Sequence, residues 1–381
     1  MIHRLAWSQL MMEKRRLLTA LAGISFAVLL QLMQFGFREA LFTSATVLHD
    51  HLHADLVVVS NLYEYVVSTG SIPRRRLYQA AAVTDVASVA GVSLGLIPFK
   101  NPENRLDRRI LAIGFDPRQA VLDVPEILAQ RAKLEIPDVI LFDALSRPEF
   151  GAVGDMLAGK EEVVTEVGGR RAWIRGVFNL GVSFGAAGNL VTSDTTFRSW
   201  FNRSDASVEL GLVTVRPGAR VETVQAALRA ALPADVRVLT KAEFVAIEHA
   251  FWDANTPIGL IFNLGALLGL VVGCVIVYQV LYTDVSNHLN EYATLKAMGY
   301  RDRDLHLVVL DEALILSVFG FPVGLALSAV LYSGVRDATH LPIELTVART
   351  VFVFCLTLGM CVLAGAIAMR KLRAADPAEV F

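Results

Sequence analysis

Four stretches of the chain carry no charged side chain and are mostly apolar: Leu17–Phe37, Ala254–Thr283, Ala313–Val335 and Thr350–Met369, of 21, 30, 23 and 20 residues. A helix needs about 20 residues to cross a hydrocarbon core of about 30 Å, so each stretch predicts a membrane span. Between the first two lie the 216 residues Arg38–Asp253, where the pattern changes. The opening of that segment, "FREALFTSATVLHDHLHADLVVVS", predicts that the first helix continues outward before a strand at Ala54–Ser60. Further β-like runs are "RRILAIGFDP", "DVILFDAL", "EEVVTEVGG", "RAWIRGVFNLG" and "VELGLVTVRPG". "RVETVQAALRAALPADVRVLT" predicts helix, turn and strand, with Pro233 ending the helix. "KAEFVAIEHAFWDANTP" predicts a helix leading to the second span, interrupted near Pro257.

Strand–helix–strand alternation argues for a mixed α+β domain. The expected fold is an α-helical membrane protein with four transmembrane helices and an α+β domain inserted between the first and second. The expected boundaries are 1–45 for the N-terminus and first span, 46–245 for the inserted domain, and 246–381 for the remaining spans. The first apolar run exceeds the 7–15 residues of a secretory h-region, and no small-x-small cleavage site follows it. It reads as a retained anchor.

Composition agrees with this division. The chain has 381 residues, 54% of them hydrophobic, with a formal net charge of −2. A near-zero balance gives no sign of a nucleic-acid partner. The three cysteines, Cys274, Cys355 and Cys361, all fall in apolar segments, so no disulfide framework or cysteine metal site is in view. Arg4, Lys14, Arg15 and Arg16, then Lys296, Arg301 and Arg303, then Arg370, Lys371 and Arg373 flank the spans on one side. The short loop Arg336–Arg349 on the other side has only its two end arginines. That bias favours cytoplasmic termini and places Arg38–Asp253 outside.

Small residues pattern the spans. Gly265, Gly269 and Gly273 form a double GxxxG, and Gly320 and Gly324 another, spacings that let helix backbones approach closely. Packing within one bundle and a seam between two copies both fit. Asp311 and Glu312 precede the uncharged part of the third span, where an interfacial or packing role is favoured over an ion pathway.

Several motifs that suggest chemistry fail on context. "GDMLAGKE" fits GxxxxGK but places Glu161 where a P-loop needs a Mg²⁺-binding hydroxyl. "GVSFG" matches GxSxG but is followed by a loop and a strand, not by the helix of a nucleophile elbow. In "HDHLH", His49 and His53 would share a helix face while His51 points elsewhere, so a solvated stalk helix is preferred to a metal site. Arg74, Arg75 and Arg76 read as a solvated face or an anion contact. No catalytic residue, cofactor or metal is expected, and the chain is not expected to be an enzyme in its own right.

One short charged stretch, "NEYATLKAMGYRDRDL" (290–305), holds six ionisable residues, each costing roughly 2.5–3.5 kcal/mol at mid-bilayer. It must lie in water. Residues 287–298 can form three helical turns with Gly299 as the C′ residue. A helix tied between two spans suits force transmission from a cytoplasmic partner.

"NEYATLKAMGY" resembles the E-x-x-x-L-[KR]-A-[LM]-G coupling segment of the MacB/FtsX-like, type VII ABC transporter permeases. "DEALILSVFGFPVGLALS" and the tail "ADPAEVF" are similar to other parts of that family. "LAWSQLMMEKRRLLTALAGISFAVLLQLMQFGFREALF", "HADLVVVS", "RRRLYQA", "ILAIGFDP" and "RPEFG" look like its DevC-like subgroup. The resemblance implies ATPase coupling by Glu291, Leu295, Lys296, Ala297 and Gly299 within a 287–300 helix. It also implies a bacterial inner-membrane location and a homodimer served by a separate cytoplasmic ABC ATPase dimer. Its further implied partners are a periplasmic membrane fusion protein, a TolC-like outer-membrane channel and membrane lipid, with a lipid-like or amphiphilic cargo and glycolipid as the leading case. An FtsX-like regulator of a periplasmic hydrolase and a lipoprotein-releasing permease are the alternatives.

Overall fold

Eleven strands and ten helices alternate along the described residues of a computed structural model, namely 14–288, Thr294, Met298, 302–339 and 341–374. The strands are β1 (Leu56–Ser60), β2 (Ile72–Pro73), β3 (Val86–Lys100), β4 (Asp107–Phe115), β5 (Val139–Asp143) and β6 (Val163–Val167), then β7 (Arg170–Phe178), β8 (Asn189–Ser193), β9 (Ser207–Val208), β10 (Leu210–Val215) and β11 (Val236–Thr240). The helices are α1 (Lys14–His51), α2 (Arg75–Ala81), α3 (Pro125–Gln130), α4 (Val153–Leu157) and α5 (Asp194–Phe201), then α6 (Val221–Ala231), α7 (Lys241–Ala254), α8 (Pro257–Asn287), α9 (Asp302–Thr339) and α10 (Val347–Ala374). The chain divides into two units. Residues 41–256 with 339–342 form one, and the remainder forms the other.

Apolar length defines the helical unit. Leu17–His51, Pro257–Asn287, Leu307–Thr339 and Val347–Ala368 are four helical stretches long and apolar enough to span a membrane. Their shared core includes Ile24, Ala27, Val28 and Leu32 of α1, Val277 and Leu281 of α8, Val309, Ala313 and Leu316 of α9, and Met360, Cys361 and Ala364 of α10. The second span begins at Pro257 rather than Ala254. Proline has no backbone N–H, and the first turn of a helix is where that donor has no intrahelical partner. Asn255 caps α7 through its N–H to the Phe251 carbonyl, and the helix restarts two residues later.

The other unit is built on a nine-stranded mixed sheet ordered β11-β1-β10-β3-β4-β8-β5-β7-β6. β4–β8 and β5–β7 are parallel and the other neighbours antiparallel. β6 returns to pair with β3 at Phe99↔Val167, so β3, β4, β8, β5, β7 and β6 close a ring. Inside it sit Phe99, Ile110, Phe142, Phe150, Ile174, Leu190 and Phe197. At the opposite end of the sheet, α2 and α6 cover β1, β10 and β11, with Leu77, Val224 and Leu228 meeting Leu56, Val58 and Val213. Every residue of β1 is buried, as expected of a strand covered on both faces.

The 15-residue β3 is absent from the strands expected above. Gly91, Gly95 and Pro98 interrupt its β-propensity, and each has a local reason. A Cβ at Gly91 would lie 3.1 Å from Leu77, and one at Gly95 would lie 2.6 Å from Phe201. Glycine there lets helices lie close on the strand. Pro98 falls where that edge of the strand has no partner to receive an N–H, a position where proline is tolerated.

The arginine run differs from the expected solvated face. Arg76 is buried and donates through Nη2 to Asp235 at 2.8 Å. Arg74 Nη2 donates to Asp194 at 2.7 Å. Arg75 alone of the three is exposed. Acidic partners 120 and 159 residues away in sequence take up the charge, which local patterning cannot reveal.

Candidate coupling site

The residues expected to engage an ATPase, Glu291, Leu295, Lys296, Ala297 and Gly299, lie outside the described residues, as does most of the 287–300 segment. Within it, the Met298 N–H donates to the Thr294 carbonyl at 3.0 Å, one bond of α-helical spacing. α8 runs to Asn287 on one side of this segment and α9 starts at Asp302 on the other.

The glycines on the spans face α1 and α10 of the same chain. A Cβ on Gly320 would come 2.7 Å from Ile24, and one on Gly324 would come 2.7 Å from both the Ser25 carbonyl and Val28. Ser25 Oγ donates to the Gly320 carbonyl at 2.9 Å, a contact that this close approach permits. Gly265 faces Gln34, Gly269 faces Leu30 and Gln31, and Gly273 faces Ala27 and Met360. The first span is therefore gripped on one side by α8 and on another by α9. Tyr332 Oη of α9 donates to the Leu32 carbonyl, and Arg349 Nη2 of α10 pairs with Glu39 at 2.5 Å. Glu312 is fully buried among the spans and Asp311 half-buried.

Within the sheet unit, the last turns of α1 meet α7 through a buried polar network. Tyr63 Oη donates to Glu248 Oε2 at 3.0 Å, and the Val66 N–H donates to the same oxygen at 3.0 Å. Trp252 Nε1 donates to Glu248 Oε1 at 3.0 Å. His49 Nε2 lies 3.1 Å from Tyr63 Oη and 3.3 Å from Glu248 Oε2, with the His49 and Glu248 side chains both fully buried. Because Tyr63 gives its proton to Glu248, His49 Nε2 meets acceptors and so carries a proton. Phe244 closes the network, with ring centres 4.4 Å from His49 and 5.0 Å from Tyr63. Burial, then the charge of Glu248, hold the Tyr63 hydroxyl well above its ordinary pKa, so it stays a donor.

This network corrects the reading of "HDHLH" as a solvated helix. The three histidines separate instead of converging: His51 Nδ1 meets the Val47 carbonyl at 2.8 Å, and His53 Nδ1 pairs with Asp123 at 2.7 Å. No group of three potential metal ligands occurs among the described residues. Sequence reading missed Glu248 because its partner lies 199 positions earlier in the chain. A charged residue among the apolar positions of "EFVAIEHAFW" was the available signal.

The other motifs resolve as turns. "GVSFG" is a loop in which Ser183 Oγ accepts the Ala186 N–H at 3.0 Å, and Gly181 has φ of 105°. "GDMLAGKE" spans the end of α4 and an exposed turn.

Four helices long and apolar enough to cross a membrane, with a mixed-sheet domain inserted after the first, define the architecture. Residues 263–377 match the FtsX-like permease C-terminal family. The chain also has low-similarity structural neighbours. The extracellular domain of the noncanonic ABC-type transporter YknZ from Gram-positive bacteria aligns at 10% identity and TM-score 0.34, over 45% of this chain and 90% of that one. The periplasmic region of MacB from Actinobacillus actinomycetemcomitans aligns at 9% identity and TM-score 0.36, over 50% of this chain and 91% of that one. No curated protein matches the chain.

Proposed function

We propose that the chain is the membrane subunit of an ATP-driven tripartite exporter of the DevC-like type. Two copies pair with a separate cytoplasmic ABC ATPase dimer, whose closure on ATP pushes the 287–300 segments through Glu291, Leu295, Lys296, Ala297 and Gly299. The termini are cytoplasmic and the sheet unit periplasmic, in a bacterial inner membrane. The motion drives a lipid-like or amphiphilic molecule, glycolipid being the leading case, into a membrane fusion protein and a TolC-like outer-membrane channel.

The observation that carries this reading is the Glu248 network, taken with the FtsX-like match over 263–377. The chain enters the sheet unit through α1 and leaves it through α7, and His49 of α1 meets Glu248 of α7, a buried carboxylate around which four polar groups gather. A joint that stiff passes displacement rather than absorbing it, as a buried, fully engaged polar cluster should.

The test is a mild-detergent pull-down of the tagged chain from its native membrane, with partners identified by mass spectrometry. Recovery of a P-loop ATPase together with a periplasmic fusion protein is expected. An ATPase accompanied by a cell-wall hydrolase would replace the exporter with the regulator. Recovery of no ATPase would remove the coupling assignment altogether.

A further inference from the structure

The edge of β3 between β10 and β6 is bare. β10 leaves β3 after the pair Leu210↔Val92, and β6 joins only at Phe99↔Val167. β4 covers the opposite edge of β3 over the whole distance from Val92 to Lys100. Backbone groups on an uncovered edge need other partners. The Leu94 N–H has one, donating to Glu209 Oε2 at 3.1 Å, and the Pro98 carbonyl accepts the Gly168 N–H at 2.8 Å. The alternation of an antiparallel ladder turns the N–H and carbonyl of Leu96 to this same edge, where no strand pairs with them.

Beside that edge lies a cleft of about 650 Å³, within the range of small-molecule sites. Its lining is unevenly charged: Arg109 and Arg203 stand against the single carboxylate of Glu209. Arg203 is held in place, paired with Glu209 and with its guanidinium carbon 5.3 Å from the centre of the Phe201 ring. Arg109 is exposed and makes no ion pair with any described residue. Hydroxyls of Ser71, Ser204 and Ser207 line the same space, while Leu96 and Phe201 give it an apolar side. Burial raises the Glu209 carboxyl from its ordinary value, with Arg203 opposing.

Guanidinium groups, a backbone N–H and hydroxyls around one space suit an oxyanion, and the apolar side suits the first methylenes attached to it. We propose that this cleft binds the anionic, phosphate- or carboxylate-bearing headgroup of an amphiphile, with Arg109 and Arg203 on the charge and Leu96 and Phe201 against the adjoining carbons. The assignment rests on the export reading, because it names the class of molecule the sheet unit would handle.

The test titrates the full chain in amphipol, at low ionic strength, with dihexanoyl phosphatidic acid, dihexanoyl phosphatidylcholine and inorganic phosphate in turn. Phosphatidic acid should bind at least tenfold more tightly than either of the others. Arg109→Gln should weaken that binding about tenfold or more without changing the thermal midpoint, since Arg109 has no partner to lose. Arg203→Gln should weaken it too. Equal binding of the two lipids, binding of inorganic phosphate as tight as that of phosphatidic acid, or indifference to both substitutions would overturn the proposal. Binding without ATPase recovery in the pull-down would keep the cleft and discard the exporter, and the converse would do the reverse.

Discussion

Glu248 Oε2 lies 3.3 Å from His49 Nε2, and neither side chain reaches solvent. The two residues close the ends of the sheet unit on each other, and the same carboxylate gathers Tyr63, the Val66 N–H and Trp252. Removing one partner from a buried polar set leaves the others desolvated and unmatched, at a cost of about 3 kcal/mol. Glu248→Ala should therefore lower the thermal midpoint of the purified chain strongly. Glu248→Gln, which keeps one acceptor oxygen, should lower it less. Equal midpoints for wild type and Glu248→Ala would show that the network does not hold the joint.

The grip on the first span rests on glycine at specific sites. A side chain at Gly324 would collide with the Ser25 carbonyl and Val28, whereas at Gly359 a Cβ meets nothing within 4 Å. Gly324→Val should destabilise the helical unit by about 1–3 kcal/mol, while Gly359→Ala should be neutral. Detergent-resistant half-life at fixed temperature separates the two, and similar values for both would refute the assigned packing.

Acid should act through the capping box of α7. Thr240 Oγ1 accepts the Glu243 N–H at 3.1 Å, and Glu243 accepts the Thr240 N–H at 2.8 Å. That backbone bond, followed by Gln225 and Arg229, holds the Glu243 carboxyl below its ordinary value of 4.5. A carboxyl lowered in the folded state adds stability above its unfolded pKa and loses it as pH falls through the folded one. Between about pH 4.5 and that lower value, the thermal midpoint of wild type should drop. Glu243→Gln, which cannot titrate, should show a shallower acid limb, and identical limbs would contradict the assignment.

At the coupling segment, Gly299 follows a stretch that sequence assigns to a helix, at the position where a left-handed residue ends it. Glycine reaches that conformation without a Cβ penalty, and valine does not. Gly299→Val should reduce ATPase recovery severalfold in the pull-down while leaving the amount of chain in the membrane unchanged. Full ATPase recovery by the variant would sink the assignment.

The spans were legible because a run of some 20 uncharged residues has few other uses, and Pro257 signalled the break that α7 and α8 show. Short strands such as β5 and β11 were legible from β-branched runs between turn residues. β3 was hidden because Gly91, Gly95 and Pro98 answer to Leu77, Phe201 and an open edge, all remote in sequence. Arg76 and His49 were misread for the same reason. Whether a polar side chain is solvated or buried depends on a partner such as Asp235 or Glu248, and local patterning carries no record of it.

The central claim is that ATP turnover reaches the sheet unit through the joint of α1 and α7. Hydrogen exchange of the reconstituted chain with its ATPase, compared with and without ATP, tests this most directly. The account predicts altered exchange at the amides of 44–51 and 241–254 during turnover, and loss of that response in Glu248→Ala. Unchanged exchange at both segments while ATP is being hydrolysed would contradict it.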